Sequence, residues 1–357
     1  MGLYSKWRGR HLIIRLLFVL AGLSVVSNCS SQAVAAGPVH EITSSAEEDA
    51  YRLSVQNKVL AALRAEDFQT LNKLEEDFRT SRSRAPSGYW NLGIFHASVD
   101  YFFAEGLTKE KGCVPVNASA IARWKAASPN SPAPIISEAA MLEAQGWCYR
   151  GTGYSDTVAA EDWPKFRQGL QSAYEILEAD KKIASVNPEF YATQASLYRG
   201  LSAPEDKFKA LMDEAMKREP AYHRTYFNAV WHYMPQWGGS WAEVDRFLRH
   251  AAKKSEATEG SGVYIRTLWY LESCNCDIIR QVADWPTLQA SMRDVYQRFP
   301  NGRNREYFMK LACKMDKPQE AFDLAKMGFP DKSKDELNTM TMQACSEAMA
   351  ETQAASR

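Results

Sequence analysis

Residues 187–220 read NPEFYATQASLYRGLSAPEDKFKALMDEAMKREP, and this stretch decides the fold. Asn187-Pro188-Glu189 places proline in a first helical turn, where its missing N–H costs nothing. Ser202-Ala-Pro204-Glu205 then breaks that helix and starts another. Phe208, Leu211, Met212, Ala215 and Met216 follow the i, i+3, i+4, i+7, i+8 spacing, one apolar stripe of an amphipathic helix. Glu219-Pro220 stops it, because proline cannot continue a helix. Pro220 opens the next unit with Ala221-Tyr222, and the two prolines stand 32 residues apart. A later unit runs from Phe299-Pro300 to Phe329-Pro330, 30 apart. Ala215 and Ala325 each lie five residues before the closing proline, small where two helices approach. The pattern predicts an all-α chain built of antiparallel helix pairs.

The same period extends outward in both directions. Trp241, Val244, Phe247, Leu248 and Ala251 share one face, as do Leu288, Met292, Val295, Tyr296 and Phe299. Sustained apolar/polar alternation is absent from about residue 45 onward, so almost no sheet is expected. Ser240-Trp-Ala-Glu243 and Ser333-Lys-Asp-Glu336 have capping-box spacing. Breaks fall at Pro129–Pro134, Gly151–Gly153, Gly238-Gly239 and Gly260–Gly262, giving roughly fourteen helices on turn signals alone. The proline-bounded pairs resemble the tetratricopeptide pattern, although the Trp-Leu-Gly signature is absent. That resemblance implies a curved solenoid.

A closer resemblance is carried by Ala65-Glu-Asp-Phe68, Gly88-Tyr-Trp90-Asn-Leu92, Arg150-Gly-Thr-Gly-Tyr154-Ser-Asp156-Thr-Val158, Trp163, Glu219-Pro220-Ala-Tyr222 and Pro235-Gln-Trp237-Gly-Gly239-Ser-Trp241. In this order they look like the bacterial domain of unknown function family 4034. The resemblance covers about residues 55–255 and implies a tetratricopeptide-like helical protein, exported or membrane-linked. It brings no established activity. Residues 45–255 are thus expected to form one helical repeat domain and 256–357 a C-terminal repeat extension.

The N-terminus gives an address. Lys6, Arg8, Arg10 and Arg15 precede the uncharged run Leu16–Val26, and Ala33-Val34-Ala35 offers a cleavage site. This predicts a signal peptide over 1–35 and a flexible linker over 36–44. Cys29 offers the alternative of a lipid anchor, although Asn28 stands where such signals place a small residue; membrane attachment is expected only if Cys29 is lipidated. Cleavage removes four cations and no anion, leaving a net charge of −4. Without a basic cluster there is no electrostatic footprint for nucleic acid. Cys113, Cys148, Cys274, Cys276, Cys313 and Cys345 remain, an even set that invites disulfides in an exported chain. We expect Cys113 to pair with Cys148, and a cluster among the other four.

Motifs for chemistry are sparse. No zinc, nucleotide or nucleophile-elbow spacing occurs, so no metal or cofactor is expected. The acid runs Glu47-Glu48-Asp49 and Glu75-Glu76-Asp77 read as solvated faces. Tyr154, Asp156 and Trp163 surround a glycine loop suited either to closing a helix or to cradling an anion through backbone N–H groups. Tyr222, Tyr226, Trp231 and Trp237 form an aromatic run with the apolar area and polar tips that suit a peptide or sugar groove, and equally a core between repeats. The expected function is binding or scaffolding of a peptide or protein partner in the cell envelope. The alternative is a hydrolase or lyase acting through Asp156, Glu161 or Asp162.

Overall fold

The computed structural model describes residues 43–272 and 278–355. The signal-peptide reading, Cys29 and the Cys274/Cys276 pair lie outside the described residues. Every regular element is a helix, and no strand occurs among the described residues. The α-helices number 17 among those residues, more than the turn signals alone predict, because short helices fill several connections.

The first group comprises α1 (Ser45–Arg64), α2 (Phe68–Ser81), α3 (Asn91–Ala104) and α4 (Ala118–Ala127). Val59, Leu63, Leu71, Phe95, Phe103 and Trp124 close a core between them. Then come α5 (Pro132–Arg150), α6 (Asp162–Ala179) and the single turn α7 (Lys181–Ala184). Helices α5 and α6 cross at Gly146 and Gly169. A Cβ on Gly169 would lie 2.8 Å from the Leu142 carbonyl and 3.0 Å from the Gly146 Cα, so the backbones meet where side chains are missing.

The proline-bounded pairs follow. They are α8 (Glu189–Gly200) with α9 (Glu205–Arg218), and α10 (His223–Ala229) leading through a 3-10 turn to α11 (Trp241–Glu259). Next are α12 (Gly262–Glu272), α13 (Ile278–Val282) and α14 (Trp285–Arg298), then α15 (Gly302–Lys314) with α16 (Pro318–Gly328), and finally α17 (Lys334–Ala355). The stripe Phe208, Leu211, Met212, Ala215 and Met216 is buried as its spacing requires. Fully burying such an apolar side chain is worth about 1.5–3 kcal/mol. Ala215 and Ala325 are both buried at their helix contacts. One apolar core runs from Ile135 to Ala344, across the boundary read at 255/256, which falls inside α11.

Caps mark the helix starts. Ser333 and Glu336 satisfy each other's backbone N–H groups, as do Ser44 and Glu47. The Ser240 hydroxyl accepts from the Glu243 N–H. Disulfides join Cys113 to Cys148 and Cys313 to Cys345. They close loops 35 and 32 residues apart in sequence. On the chain-entropy account each is worth about 4 kcal/mol. Among the described residues no helix is long and apolar enough to cross a membrane.

The two ends of the described chain meet. Gly302 N–H donates to the Thr43 carbonyl at 2.6 Å, Ser45 donates to Glu306 at 2.6 Å, and Arg303 pairs with Asp49. Thr43 and Ser44, read from sequence as the end of a linker, are thereby fixed. The loop between α2 and α3 is driven into the same place. Ser87 is 1% exposed; its carbonyl accepts from Arg266 (2.6 Å) and Asn304 (3.0 Å), and its N–H and hydroxyl donate to Glu48 (2.9 and 2.5 Å). Glu48, in an acid run that reads as a solvated face, is therefore fully buried beside Arg52. Glu75, in the other such run, is buried too; it accepts from Asn187 and pairs with Arg79. Each run presents one acid to an arginine one turn on, Arg52 or Arg79; Asp49 pairs with Arg303, and Glu47, Glu76 and Asp77 face water.

Candidate binding site

The candidate site begins with spacing on two helices. On α5, Glu143, Trp147 and Arg150 stand at i, i+4 and i+7, one face of the helix. On α8, Ser196 and Arg199 stand at i and i+3. Ser196 donates to Glu143 at 2.5 Å, and the Trp147 indole N–H donates to the same carboxylate at 3.3 Å. Arg199 donates to Ser196 at 3.3 Å, which ties the two faces together.

The Arg199 guanidinium is ringed by indoles. It lies 5.2 Å from the Trp147 ring centre, 5.0 Å from Trp237 and 5.8 Å from Trp231. Trp147 and Trp237 meet edge to face at 5.8 Å. From Trp231 the row continues: its indole N–H donates to the Tyr270 hydroxyl at 3.1 Å, Tyr270 stacks on Phe227 at 4.8 Å, and Phe227 on Tyr89 at 6.5 Å. At the other end, Arg150 lies 5.7 Å from Trp147 and 6.0 Å from Trp163. Trp237 is 36% exposed and Trp147 half-buried, so this end of the row faces solvent. A guanidinium over an indole contributes about 0.5–2 kcal/mol, which orders these rings without any ligand.

The residues singled out in sequence separate into three groups. Trp163, Trp231 and Trp237 join the cluster. Tyr222 and Tyr226 do not: both are fully buried, with Tyr222 donating to Glu189 and Tyr226 to the Pro220 carbonyl, both at 2.7 Å. Both are interior residues and offer a partner no surface. Tyr154 and Asp156 are exposed on the 3-10 turn after α5, and among the described residues no ring contact joins Tyr154 to the row. Gly151 closes α5 at positive φ, its N–H donating to the Trp147 carbonyl. The carbonyls of Gly151 and Gly153 accept from Arg150, so the loop turns acceptors, not an N–H cradle, toward its neighbour. Trp147, Arg150, Arg199, Phe227 and Tyr270 were not singled out as site residues. The i, i+4, i+7 repeat of Glu143, Trp147 and Arg150 is a signal for Trp147 and Arg150, and Phe227 lies in the aromatic 222–237 stretch; nothing in the sequence marks Arg199 or Tyr270.

Of the acids named for hydrolysis, Asp162 is held by Lys109 at 2.8 Å and Lys165 at 3.2 Å, and hydrogen bonds from these lysines lower its pKa. A carboxylate so held is a poor general acid. Among the described residues no group of three or more His, Cys, Asp or Glu side chains could hold a metal ion.

Two buried ionic groups lie near Tyr89. Arg224 binds Glu189 (2.7 Å) and Asp100 (2.7 Å). His223 meets Glu259 at 2.9 Å, with Arg84 on the other carboxylate oxygen at 2.6 Å. Burial pushes the His223 pKa down to about 4, outweighing the pull of Glu259. Burial likewise pushes His96, beside Asn187, down to about 3. Both imidazoles are neutral in the fold and take up protons near pH 6.5 once unfolded. Their stabilisation is complete above that pH and is lost as pH falls toward 4. With two extra protons bound by the unfolded chain, stability should fall by up to about 2.7 kcal/mol per pH unit in this window. Urea midpoints between pH 7 and 4.5 measure this; a midpoint constant across that range would contradict it.

No protein-family model, curated protein or solved structure matches this chain.

Proposed function

We propose that the protein is an exported helical binding module, tetratricopeptide-like in arrangement and related to the unknown-function family it resembles. It holds a peptide segment of a cell-envelope partner at the solvent-facing end of the aromatic row, on Trp147 and Trp237. The observation that carries this reading is the row itself. Trp237, Trp147, Trp231, Tyr270, Phe227 and Tyr89 form a continuous series from separate elements, with its outer end open to solvent. Rigid aromatic side chains give large contact area at low entropic cost, and they dominate the energetics of interfaces. The signal-peptide pattern and the two disulfides support an oxidising, exported setting.

The test is capture from envelope extract by the mature chain, run beside Trp237→Ala. A partner retained by the parent and bound about 30-fold more weakly by the variant is expected, the loss of one aromatic anchor worth about 2 kcal/mol. Trp237 lies on a surface turn, so the variant keeps its fold. No captured protein above background, or equal capture by the variant, would overturn the reading.

A further inference from the structure

Several interior arginines are matched by carboxylates: Arg52 by Glu48, Arg84 by Glu259, Arg224 by Glu189 and Asp100. Arg266 is enclosed and donates to the Ser87 carbonyl, whereas Arg150 reaches the surface. It is half-buried between Trp147 and Trp163, and it donates to the carbonyls of Gly151 and Gly153. Among the described residues no carboxylate pairs with it, and burial alone lowers its pKa. Withdrawing a cation from water without a counter-charge is costly unless something supplies one. The carbonyls orient the guanidinium but cannot neutralise it. The geometry also favours a receptor. A guanidinium offers a planar fork that matches a carboxylate with two parallel hydrogen bonds. The indoles beside it cover part of the guanidinium, and a charge pair there is stronger than one in open water.

We propose that Arg150 is the anchor for a carboxylate of the bound segment, so that the module selects acidic peptides whose neighbouring apolar residue lies on Trp147 and Trp237. This rests on the binding reading above and adds the chemical class of the ligand. The loop that the sequence offered as an anion cradle then has an indirect part. It holds the arginine, and the arginine holds the anion.

The probe is an array of short synthetic peptides in matched sets, Asp or Glu in one and Asn or Gln in the other. The mature full chain is applied to it, with its disulfides intact. The parent should bind the acidic set about ten-fold better than the amide set, a preference that weakens as salt is raised. Arg150→Gln should lose that preference while still binding through the aromatic row, and Arg150→Lys should keep part of it. Equal binding of the two sets by the parent overturns the inference but leaves the binding function standing. So does a preference that survives in Arg150→Gln. Absence of binding to every set overturns both. Should Arg150→Gln fail to fold, the salt series on the parent decides: an acidic preference that ignores salt counts against a charge pair.

Discussion

Gly88→Ala is expected to remove most of the stability of the protein. Gly88 has φ +87°, a conformation that L residues with a Cβ adopt only with strain. An added Cβ would lie 2.6 Å from an Arg266 guanidinium nitrogen and 2.7 Å from the Phe299 ring. Neither neighbour can retreat cheaply. The Arg266 nitrogen is the donor to Ser87, and Phe299 carries the guanidiniums of Arg84 and Arg266 at 5.5 and 5.4 Å. Backbone strain of about 1–2 kcal/mol adds to overpacking of about 1–3 kcal/mol, so the loss should be about 2–5 kcal/mol. Urea unfolding followed by far-ultraviolet dichroism measures it. A midpoint shift worth less than about 1 kcal/mol on the measured slope would show that the loop yields, against the packing described.

Arg224→Met should be comparably damaging for a different reason. Arg224 reaches Glu189 through two nitrogens at 2.7–3.0 Å and Asp100 at 2.7 Å. Tyr222 donates to the same Glu189. Methionine preserves much of the volume and leaves Glu189, 2% exposed, without its cation. Removing one partner of a buried pair costs about 3–5 kcal/mol, chiefly the penalty of the stranded charge. The double variant Arg224→Met with Glu189→Gln should recover a large part of that loss, because the amide carries no charge and still accepts from Tyr222. A coupling below about 1 kcal/mol in the double-mutant cycle would mean that the two side chains contribute separately.

These two sites also show where reading the chain from sequence succeeds and stops. Helical class, the proline-bounded units and the caps at Ser240 and Ser333 are local. They depend on residues within a turn or two, and the chain spells them out. The Cys113–Cys148 pair was expected from an even set of six cysteines downstream of the signal-peptide pattern, and it forms. The aromatic cluster was half legible. Trp163, Trp231 and Trp237 belong to it, but helical spacing alone could not tell which aromatics of the 222–237 stretch face a neighbouring helix. Tyr222 and Tyr226 went to the interior for that reason. The buried charges were illegible. Glu48 and Glu75 sit among other acids, and the arginines that neutralise them, or help hold Ser87 beside Glu48, include residues as distant as Arg266. Nothing in a run of acids marks which one will be enclosed. Arg150 stood in plain view within the most specific motif of the chain. Its meaning depended on a missing carboxylate, and that is a property of tertiary packing.

The seam between Thr43 and Asn301 has a temporal side. Thr43 and helix α1 emerge before the other described elements, yet their contacts with Asn301, Arg303 and Glu306 involve residues that arrive some 250 positions later. Until then Glu48 has neither Ser87 locked in place nor the Arg266 and Asn304 donors that lock it. Val59 and Leu63 can pack with Leu71, Phe95 and Trp124 early, but the start of α1 is pinned only when the trailing portion appears. A long wait of this kind slows the acquisition of native structure, since distant contacts cost loop entropy before they return any energy. Were the chain exported unfolded, as the proposed setting implies, such slowness would be an asset. The molecule locks only when nearly all of it has arrived.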